Sequence, residues 1–550
     1  MKILLIQPPI QEFYQTSIRT QPIGLAYLAA SLKRKGHEVE ILDCQTERRK
    51  SIPIPSELSY LKDFYPFNDR SPFKLYTGYY QFGMEWEEIG RRIENSKADA
   101  FGISSSFTPY HGEALKIAQI IKHWDRRKIV AMGGAHVSCD PEGVLKSPFV
   151  DFVILGEGEV RFPLLLQYIE RGQLKSIEQI DGIGYRRDGE IWINPIQHFI
   201  HNLDFLPWPA RGLLDTDRYR IGKRRSTMII TSRGCPHGCA YCSAHLTMGP
   251  FFRPRTPEAV LDEMMECQKE YGIEIFDIED DNFTFDQDRA KELMSLTIQN
   301  FGERGIKLSA MNGVSIASLD GELLRLMKRA GFDTINLSFV SIDSSTKERM
   351  RRPKPTAEFD TILKSAEQSD LNVIAYAILG MPGQRIEEMV NTLIDLMGRK
   401  VLIGPSVYYP TPGTPLFEQC EREGILPPHL SQWRSSAFPI QTEEFNRLDI
   451  LTLFRLARAI NFIKGKIDRR ELDEGMTWEE LIAALEERKV GDDKASWIDL
   501  LLLLFNERSF FGLKKGSGGV SSVKEETSKK VLDYFFEKAW RSLILKSRNT

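Results

Sequence analysis

Short apolar runs of strand length alternate with helical patterns from the N-terminus to about residue 410, and this alternation limits the fold more than any other feature. Such a pattern predicts parallel sheets covered by helices, because each helix returns the chain to the start of the next strand. The runs fall into two groups on either side of a proline-rich connector, Leu203-Asp-Phe-Leu-Pro-Trp-Pro209. The sequence therefore predicts two α/β domains.

The first group predicts a Rossmann-like (flavodoxin-like), doubly wound domain over residues 1–195, followed by a linker over 196–225. Strands are expected at 2–7, 38–43, 99–104, 128–132 and 151–155, and helices at 24–35, 111–124 and 159–171. Asp188-Gly189, between two β-type runs, predicts a type I′ hairpin.

The turns after these strands are rich in glycine and serine, and ligands of parallel sheets bind at that edge. Small residues let a ligand approach the backbone closely, although most domains of this class have glycine and serine in such turns. The candidate ligand-binding residues are Ser104, Ser105, Gly133, Gly134, His136, Gly156, Glu157 and Gly158.

The second group predicts an incomplete (β/α)6 barrel of the TIM type over residues 226–430, with chemistry at the carboxyl ends of its strands. Its strands are expected at 227–232, 273–278, 306–311, 333–339, 371–378 and 402–409. From residue 431 the pattern is helical and poor in strands, which predicts a helical accessory domain over 431–550.

An insertion over residues 44–90 follows the second strand of the first domain and is rich in aromatic side chains. These are Tyr60, Phe64, Tyr65, Phe67, Phe73, Tyr76, Tyr79, Tyr80, Phe82 and Trp86. Long loops inside compact domains are usually functional. Either the aromatics face a bound ligand or substrate, or they pack the insertion onto its own domain.

Three cysteines, Cys235, Cys239 and Cys242, lie on a loop between the first barrel strand and the helix that follows. Thiolates spaced so closely suit a soft metal centre. An iron–sulfur cube held by three cysteines leaves one iron free to bind a substrate. The alternative is a structural zinc site completed by His237 or His245.

The spacing C-x-x-x-C-x-x-C, with Tyr241 before the last cysteine, resembles the radical S-adenosylmethionine enzymes. The turns of the first domain, together with Pro22-Ile-Gly-Leu-Ala-Tyr27, resemble the cobalamin-binding domain that precedes many of those barrels. Tyr409-Pro-Thr-Pro-Gly-Thr-Pro415 is similar to a turn of the cobalamin-dependent members. The resemblance covers residues 1–195 and about 226–420.

This resemblance implies a 4Fe-4S cluster on the three cysteines, S-adenosylmethionine on the open iron, and cobalamin in the first domain. It implies that the following residues contact S-adenosylmethionine: Tyr241, Asp280, Asp281, Asn312, Ser341 and Gly380. Two departures bear on the site. Val340 stands where related enzymes often have a glutamate for the ribose, and the cobalt-ligating motif D-x-H-x-x-G is absent. Neither His37 nor His136 has that context, so the lower face of a bound cobalamin is expected to lack a protein imidazole.

The family chemistry implied is reductive cleavage of S-adenosylmethionine to methionine and a 5′-deoxyadenosyl radical, which abstracts hydrogen from an unactivated carbon. The sequence therefore indicates a C-methyltransferase that acts on a biosynthetic intermediate. One alternative is an enzyme that uses cobalamin without methyl transfer, for a cyclisation, oxidation or rearrangement. A second alternative is a non-catalytic cobalamin or redox sensor, against which the intact cysteine loop argues.

Composition and net charge limit the classes of partner that the protein is expected to bind. A net charge of −3 does not indicate a nucleic-acid-binding surface. The apolar run 500–505 is too short to span a membrane, no signal peptide is evident, and seven cysteines, three of them clustered, suit a reducing cytoplasm. The expected partners are a small-molecule or lipid-like substrate and an electron donor such as flavodoxin or ferredoxin. The basic run from Lys347 to Lys354 is interpreted as a solvated helix end rather than an anion-steering site.

Overall fold

The computed structural model describes residues 1–14, 21–45, 48–65, 69–352, 356–488, 496–516 and 519–545. Phe67 of the predicted aromatic set and Lys354 of the predicted basic run lie outside these ranges.

The N-terminal part of the chain forms a seven-stranded sheet with helices on both faces. The strands of this part are β1 (Lys2–Gln7), β2 (Ile10–Glu12), β3 (Glu38–Asp43), β4 (Arg49–Ser51), β5 (Tyr80–Phe82), β6 (Ala100–Ser104), β7 (Ile129–Gly133), β8 (Phe152–Ile154), β9 (Ile183–Arg187) and β10 (Glu190–Ile193). Seven of them form the sheet, and β2, β5 and β4 form a separate antiparallel sheet. Its helices are α1 (Ile23–Arg34), α2 (Trp86–Ser96), α3 (His111–Trp124), α4 (Ala135–Cys139), α5 (Pro141–Leu145) and α6 (Gly158–Glu170).

The sheet order is β10-β9-β8-β7-β6-β1-β3, and the five strands from β3 to β8 pair in parallel. The strands β1, β6 and β7 are apolar on both faces because helices cover both. The predicted hairpin is present, with positive φ at Asp188 and Gly189, but it extends the same sheet antiparallel to β8. The sheet is therefore mixed rather than wholly parallel.

The second part of the chain is an open barrel. Its strands are β11 (Arg220–Ile221), β12 (Arg224–Ile229), β13 (Ser232–Arg233), β14 (Arg253–Pro254), β15 (Ile275–Ile278), β16 (Lys307–Ser309), β17 (Thr334–Val340), β18 (Asn372–Leu379) and β19 (Leu402–Val407). Its helices are α7 (Ala244–Thr247), α8 (Pro257–Tyr271), α9 (Gln287–Phe301), α10 (Gly321–Ala330), α11 (Ser344–Arg349), α12 (Thr356–Gln368), α13 (Ile386–Met397) and α14 (Pro415–Arg422).

Six of these strands pair in parallel in two sets, β12-β15-β16 and β17-β18-β19. A parallel bridge between Val314 and Leu337 joins the sets, so the six predicted strands form one curved wall. Several of the barrel helices begin on a side-chain cap. In α8, the Thr256 hydroxyl accepts from the Ala259 amide, and Gly272 ends the helix with φ 63°. The predicted fold class, a Rossmann-like domain followed by a partial barrel, is confirmed.

The C-terminal region departs from the purely helical prediction. Its helices are α15 (Arg447–Asp468), α16 (Trp478–Glu487), α17 (Trp497–Glu507) and α18 (Lys529–Ala539), and its strands are β20 (Phe511–Gly516) and β21 (Gly519–Lys524). These two strands form an antiparallel hairpin in place of the expected helical break. Among the described residues no helix is both long enough and apolar enough to cross a bilayer.

Most of the aromatic insertion packs against this C-terminal region, and its last aromatic, Trp86, packs against the sheet core of its own domain. Phe73 contacts the ring of Phe462 with centroids 5.3 Å apart, and Tyr65 contacts Phe438 at 6.4 Å. The Tyr65 hydroxyl also donates to the Ser436 carbonyl. Packing onto its own domain is thus seen for the end of the insertion, whereas Tyr65 binds a segment more than 300 residues further along the chain. The expectation that the aromatics face a ligand or substrate stays a prediction.

Candidate functional site

A cavity of about 420 Å³ opens between the N-terminal domain and the barrel. On one side it is lined by the turns that follow β1, β6, β7 and β8. On the other side it is lined by Met228, Ile230, Arg233 and Glu279 of the barrel. The carboxyl ends of the parallel strands in both domains therefore face one shared space.

The cavity continues between the sheet and helices α1 and α6. There its walls are mostly small or apolar, with Leu25, Leu28, Gly102, Ala131 and Phe162. Small and apolar walls of this kind let a ligand lie close to the backbone. The lining fits a large, partly apolar ligand such as the predicted cobalamin.

Two glycines bring the surrounding turns into close contact. Gly134 has φ 119°, and a Cβ there would lie 2.6 Å from the Ser105 carbonyl oxygen. Gly156 has φ 60°, and a Cβ there would lie 3.1 Å from the Thr247 carbonyl oxygen of the barrel. Both positions need glycine for conformation and for space. Seven of the eight predicted cobalamin residues line the cavity: Ser104, Ser105, Gly133, Gly134, Gly156, Glu157 and Gly158.

Glu157 needs a correction, because its carboxylate is used by protein partners. It is buried and accepts from Arg233 Nη1 at 2.9 Å and from Arg253 Nη1 at 3.0 Å. It also accepts from the Ile200 amide at 2.7 Å. Glu159 Oε1 accepts from the other amine of this guanidinium, Arg233 Nη2, at 2.6 Å. Glu157 therefore joins the two domains by buried ion pairs, and only its backbone and stem remain at the cavity wall.

His136, the eighth residue, lies beneath the turns and does not line the cavity. It is buried, its Nδ1 lies 3.1 Å from the Thr108 hydroxyl, and its Nε2 has no partner among the described residues. Its ring contacts that of His111 at 4.3 Å, and His111 Nδ1 lies 3.0 Å from the Ser105 hydroxyl. The expectation that His136 faces the corrinoid is corrected, since the pair His111–His136 supports the turn that carries Ser105.

Both imidazoles are neutral in the folded protein. Burial lowers the pKa of His111 to about 3 and that of His136 to about 4. The nearby His136 lowers the pKa of His111 further, whereas Asp140 opposes the shift at His136. In the unfolded chain both regain a pKa near 6.5, so unfolding takes up protons below that pH.

Acidification from pH 7 to pH 5 is accordingly expected to destabilise this domain by about 2 kcal/mol for each of the two histidines. The contribution of the two neutral imidazoles to the free energy of unfolding is fully present above pH 6.5. It is lost as the pH falls toward their folded-state pKa values of about 3 and 4. Urea unfolding at pH 7 and pH 5 should show that the free energy of unfolding falls less in His111→Asn and His136→Asn than in the wild type. His123→Asn, at an exposed position on the same helix as His111, serves as the control. Equal losses in all variants would contradict this assignment.

The cysteine loop begins where β12 leaves the barrel wall. Gly234 has φ 79°, its amide donates to Asp281 Oδ2 at 2.9 Å, and a Cβ there would lie 2.2 Å from the Phe251 carbonyl oxygen. Further on, the Ala240 amide donates to the Met350 carbonyl. These bonds hold the loop across the strand ends of the barrel.

The three cysteines of this loop are free thiols, with Cys239 buried and the other two partly buried. No three His, Cys, Asp or Glu side chains in the described ranges are placed to bind a single metal ion. A cube that takes one thiolate on each of three irons does not need such convergence.

The charge around the thiols fits an anionic cluster. Burial raises the pKa of Cys242 to about 11, and the neighbouring Cys239, Asp281 and Cys235 raise it further. A metal centre would therefore have to displace the proton. The positive group nearest the loop is Arg352, whose Nη1 lies 3.6 Å from Cys239 Sγ. The donor set of thiolates with an adjacent guanidinium fits a 4Fe-4S cluster.

The two aspartates predicted to meet S-adenosylmethionine differ in orientation. Asp280 is buried and its carboxylate accepts from the Thr231 amide at 2.7 Å, the Thr231 hydroxyl at 2.5 Å and the Ser232 hydroxyl at 2.7 Å. It fixes the exit of β12, and its contact with S-adenosylmethionine stays a prediction. Asp281 remains exposed, its surroundings raise its pKa to about 6, and it binds the start of the cysteine loop.

Glu279, which the sequence reasoning did not single out, faces the cavity. It accepts from Asn312 Nδ2 at 2.9 Å, and burial, with Asp277 next, raises its pKa to about 7. Asp277 in turn accepts from the Ser309 hydroxyl at 2.6 Å. The alternation of Asp277 and Glu279 on one strand was the available signal, because residues two apart share a face.

The other four residues predicted to contact S-adenosylmethionine lie in different surroundings. Ser341 is buried and donates to Glu388 Oε1 of α13 at 2.9 Å, and its contact with S-adenosylmethionine stays a prediction. Gly380 has φ 80° and faces Ile450 of α15 at about 3.4 Å rather than the cavity. Tyr241 packs at the edge of the core beside Arg352, and burial raises its pKa. Asn312 is exposed and bonded to Glu279.

Comparison with known families matches two parts of the chain. The model described as "Radical SAM superfamily" matches residues 229–396, and the model described as "B12 binding domain" matches residues 76–166. The first match contains the cysteine loop and the barrel, and the second contains most of the turns that line the cavity.

Several curated relatives span most of the chain. The cytidylyl-2-hydroxyethylphosphonate methyltransferase of Streptomyces wedmorensis is 28% identical over 79% of this chain and 84% of its own. An uncharacterized methyltransferase of Pyrococcus horikoshii is 26% identical over 85% and 94%. The anaerobic magnesium-protoporphyrin IX monomethyl ester cyclase of Synechocystis is 22% identical over 72% of each chain.

Two solved structures share the fold. The radical S-adenosylmethionine methyltransferase TsrM from Kitasatospora setae, with cobalamin and a 4Fe-4S cluster bound, has a TM-score of 0.58 and 17% identity, over 77% of this chain and 75% of its own. The cobalamin-dependent S-adenosylmethionine radical enzyme OxsB, with aqua-cobalamin and S-adenosylmethionine bound, has a TM-score of 0.59 and 15% identity, over 92% and 70%.

Proposed function

The chain is a radical S-adenosylmethionine enzyme that carries a cobalamin-binding domain, and on that premise we propose that it methylates an unactivated carbon of a small biosynthetic intermediate. Its two domains imply a 4Fe-4S cluster, S-adenosylmethionine and cobalamin. The relatives named as methyltransferases, at 26–28% identity over most of the chain, support the reaction class.

One structural observation carries the proposal: a single cavity is lined both by the cobalamin-side turns and by the barrel strand ends. Ser104, Ser105, Gly133 and Gly156 lie on one wall and Glu279 on the other. A substrate in this space would be within reach of groups bound on either side. Methyl transfer to a carbon radical needs such proximity, because the radical must not escape or meet water.

The residues of the chain would bind the cluster, S-adenosylmethionine and the substrate as follows. Cys235, Cys239 and Cys242 would hold the cluster, which supplies one electron when bound. Asp281, at the strand end beside the loop, is the carboxylate best placed to accept from the ammonium of S-adenosylmethionine. Glu279 and Asn312 form a hydrogen-bonded pair on the cavity wall that can orient a polar substrate group. Flavodoxin or ferredoxin is the proposed electron donor.

Product stoichiometry tests the proposal. Each methylation consumes two S-adenosylmethionines and two electrons: one molecule is recovered as methionine and 5′-deoxyadenosine, the other as S-adenosylhomocysteine. The hydrogen taken from the substrate ends on 5′-deoxyadenosine. With cobalamin-loaded protein, a one-electron donor and candidate substrates, the two nucleosides should form in about equal amounts. S-adenosylmethionine with a deuterated methyl should add a trideuterated methyl to the product.

The alternative, a cobalamin-dependent reaction without methyl transfer, is favoured by relatives named as cyclases, such as the Synechocystis enzyme. It has no reason to produce S-adenosylhomocysteine in step with turnover. If 5′-deoxyadenosine accompanies product while S-adenosylhomocysteine stays at the level found without substrate, the methyltransferase proposal is wrong. The absence of any S-adenosylmethionine cleavage under reducing conditions would instead support the sensor reading.

A further inference from the structure

Arg352 comes from a segment whose sequence predicted only a solvated helix end, yet its side chain reaches the cysteine loop. Helix α11 ends at Arg349 with Met350 as its C-cap, and the Arg352 amide donates back to the Lys347 carbonyl at 2.8 Å. Arg351, with φ 53°, makes the left-handed turn that closes this cap. The cap reverses the direction of the chain. As a result, Arg351 is exposed to solvent, whereas the side chain of Arg352 extends toward the cysteine loop.

The turn is fastened to the cysteine loop by the backbone. The Met350 carbonyl accepts from the Ala240 amide at 3.2 Å, next to Cys239. Arg352 Nη2 donates to the Ser338 carbonyl at 2.9 Å, where β17 has a bulge and Val340 has φ 71°. Positive φ is rare for a β-branched residue, so the bulge is held by its surroundings. One amine of the guanidinium, Nη2, is thus bound to the backbone of β17. The other amine, Nη1, faces the Cys239 thiol.

The other amine, Arg352 Nη1, lies 3.6 Å from Cys239 Sγ. Among the described residues no carboxylate forms an ion pair with Arg352, and the acidic groups that raise its pKa are Tyr241 and the thiols of Cys239 and Cys235. Arg351, one residue earlier, is exposed. A partly buried guanidinium without a carboxylate needs another anion, and the thiolates of a bound cluster would provide it.

We propose that Arg352 sets the reduction potential of the 4Fe-4S cluster by donating a charged hydrogen bond to the Cys239 thiolate. A reduced cluster is one unit more negative than an oxidised one, so a fixed positive charge favours the reduced form. Hydrogen bonds to the cluster sulfurs and net charge are among the factors that set such potentials. The inference rests on the cluster assignment made above.

The test compares full-length Arg352→Met, Arg352→Lys and Arg351→Met, each reconstituted anaerobically with iron and sulfide. The cluster midpoint is measured by a redox titration followed by electron paramagnetic resonance, without S-adenosylmethionine or substrate. Arg352→Met should be harder to reduce by about tenfold in the reduction equilibrium, or about 59 mV for one electron. Arg352→Lys should lie between it and the wild type, and Arg351→Met should match the wild type.

A wild-type midpoint in cluster-loaded Arg352→Met would overturn the inference, and so would an equal shift in Arg351→Met. Should Arg352→Met assemble no cluster, Arg352→Gln keeps an N–H donor without the charge, and an unshifted midpoint there has the same consequence. Failure of the wild type to assemble a cluster would instead refute the proposed function. The measurement includes no turnover, so the two failures are distinguishable.

Discussion

Replacing Cys239 with alanine is expected to remove nearly all cluster iron and, with it, the cleavage of S-adenosylmethionine. The wild type should hold about four irons and four sulfides after anaerobic reconstitution, the content of one cube. Cys239 is the buried member of the triplet, and no other cysteine, histidine or carboxylate in the described ranges completes a three-ligand site around it. Cys235→Ala and Cys242→Ala should behave alike. Iron and sulfide assays with the visible spectrum provide the measurement.

The sharpest control is Cys139→Ala. Cys139 is a half-buried free thiol that lies beside Ser243, the residue after Cys242, and burial raises its pKa to about 11. It is therefore a cysteine outside the triplet but next to the loop. Cys139→Ala should keep the wild-type iron content and spectrum, as should Cys44→Ala, Cys267→Ala and Cys420→Ala. Full cluster content in Cys239→Ala, or loss of iron in Cys139→Ala, would refute the three-cysteine assignment.

Glu157→Gln is expected to lower the free energy of unfolding by about 3–5 kcal/mol, the usual cost of removing one partner from a buried ion pair. Glu157 is 2% exposed, and Arg233 and Arg253 are 5% and 8% exposed. Among the residues that the structure describes, the change leaves Arg253 without a carboxylate partner and Arg233 with Glu159 alone. Because these pairs join the two domains, the shared cavity should also loosen. Urea or thermal unfolding checks the first effect, and hydroxocobalamin affinity checks the second.

Glu178→Gln is the matched control, since Glu178 forms a solvent-exposed ion pair with Arg187 at 3.3 Å in the same domain. Exposed pairs contribute about 0–1 kcal/mol, so its midpoint should stay close to that of the wild type. If both variants unfold alike, the ion pairs of Glu157 do not join the domains in the way the geometry indicates.

Local sequence patterns predicted most of the architecture. The five parallel strands of the first sheet, the hairpin at Asp188-Gly189 and the six barrel strands all follow from periodicity and turn chemistry within short windows. The cysteine triplet was also readable, because its three residues lie within eight positions on one loop. In each case the decisive interactions join residues close in sequence, or repeat at a fixed period.

The roles of single polar residues were less accessible. The sequence placed Asp280 and Ser341 at the ends of the correct strands, but a one-residue difference reverses which face of a strand a side chain occupies. Asp280 therefore binds Thr231 and Ser232, and Ser341 binds Glu388. The aromatic insertion likewise lacked any local sign of its partner, which is the C-terminal region.

The sequence by itself thus determined the two domain folds, the cysteine loop and the edge of each sheet where chemistry occurs. Only the tertiary structure decided which side chains meet across those edges: Glu157 with Arg253, 96 residues away, and Arg352 with Cys239, 113 residues away. The physical reason is that secondary structure depends on backbone hydrogen bonds and apolar periodicity between near neighbours. The partner of a buried charge depends on which distant segments pack together, and a single chain carries no local record of that choice.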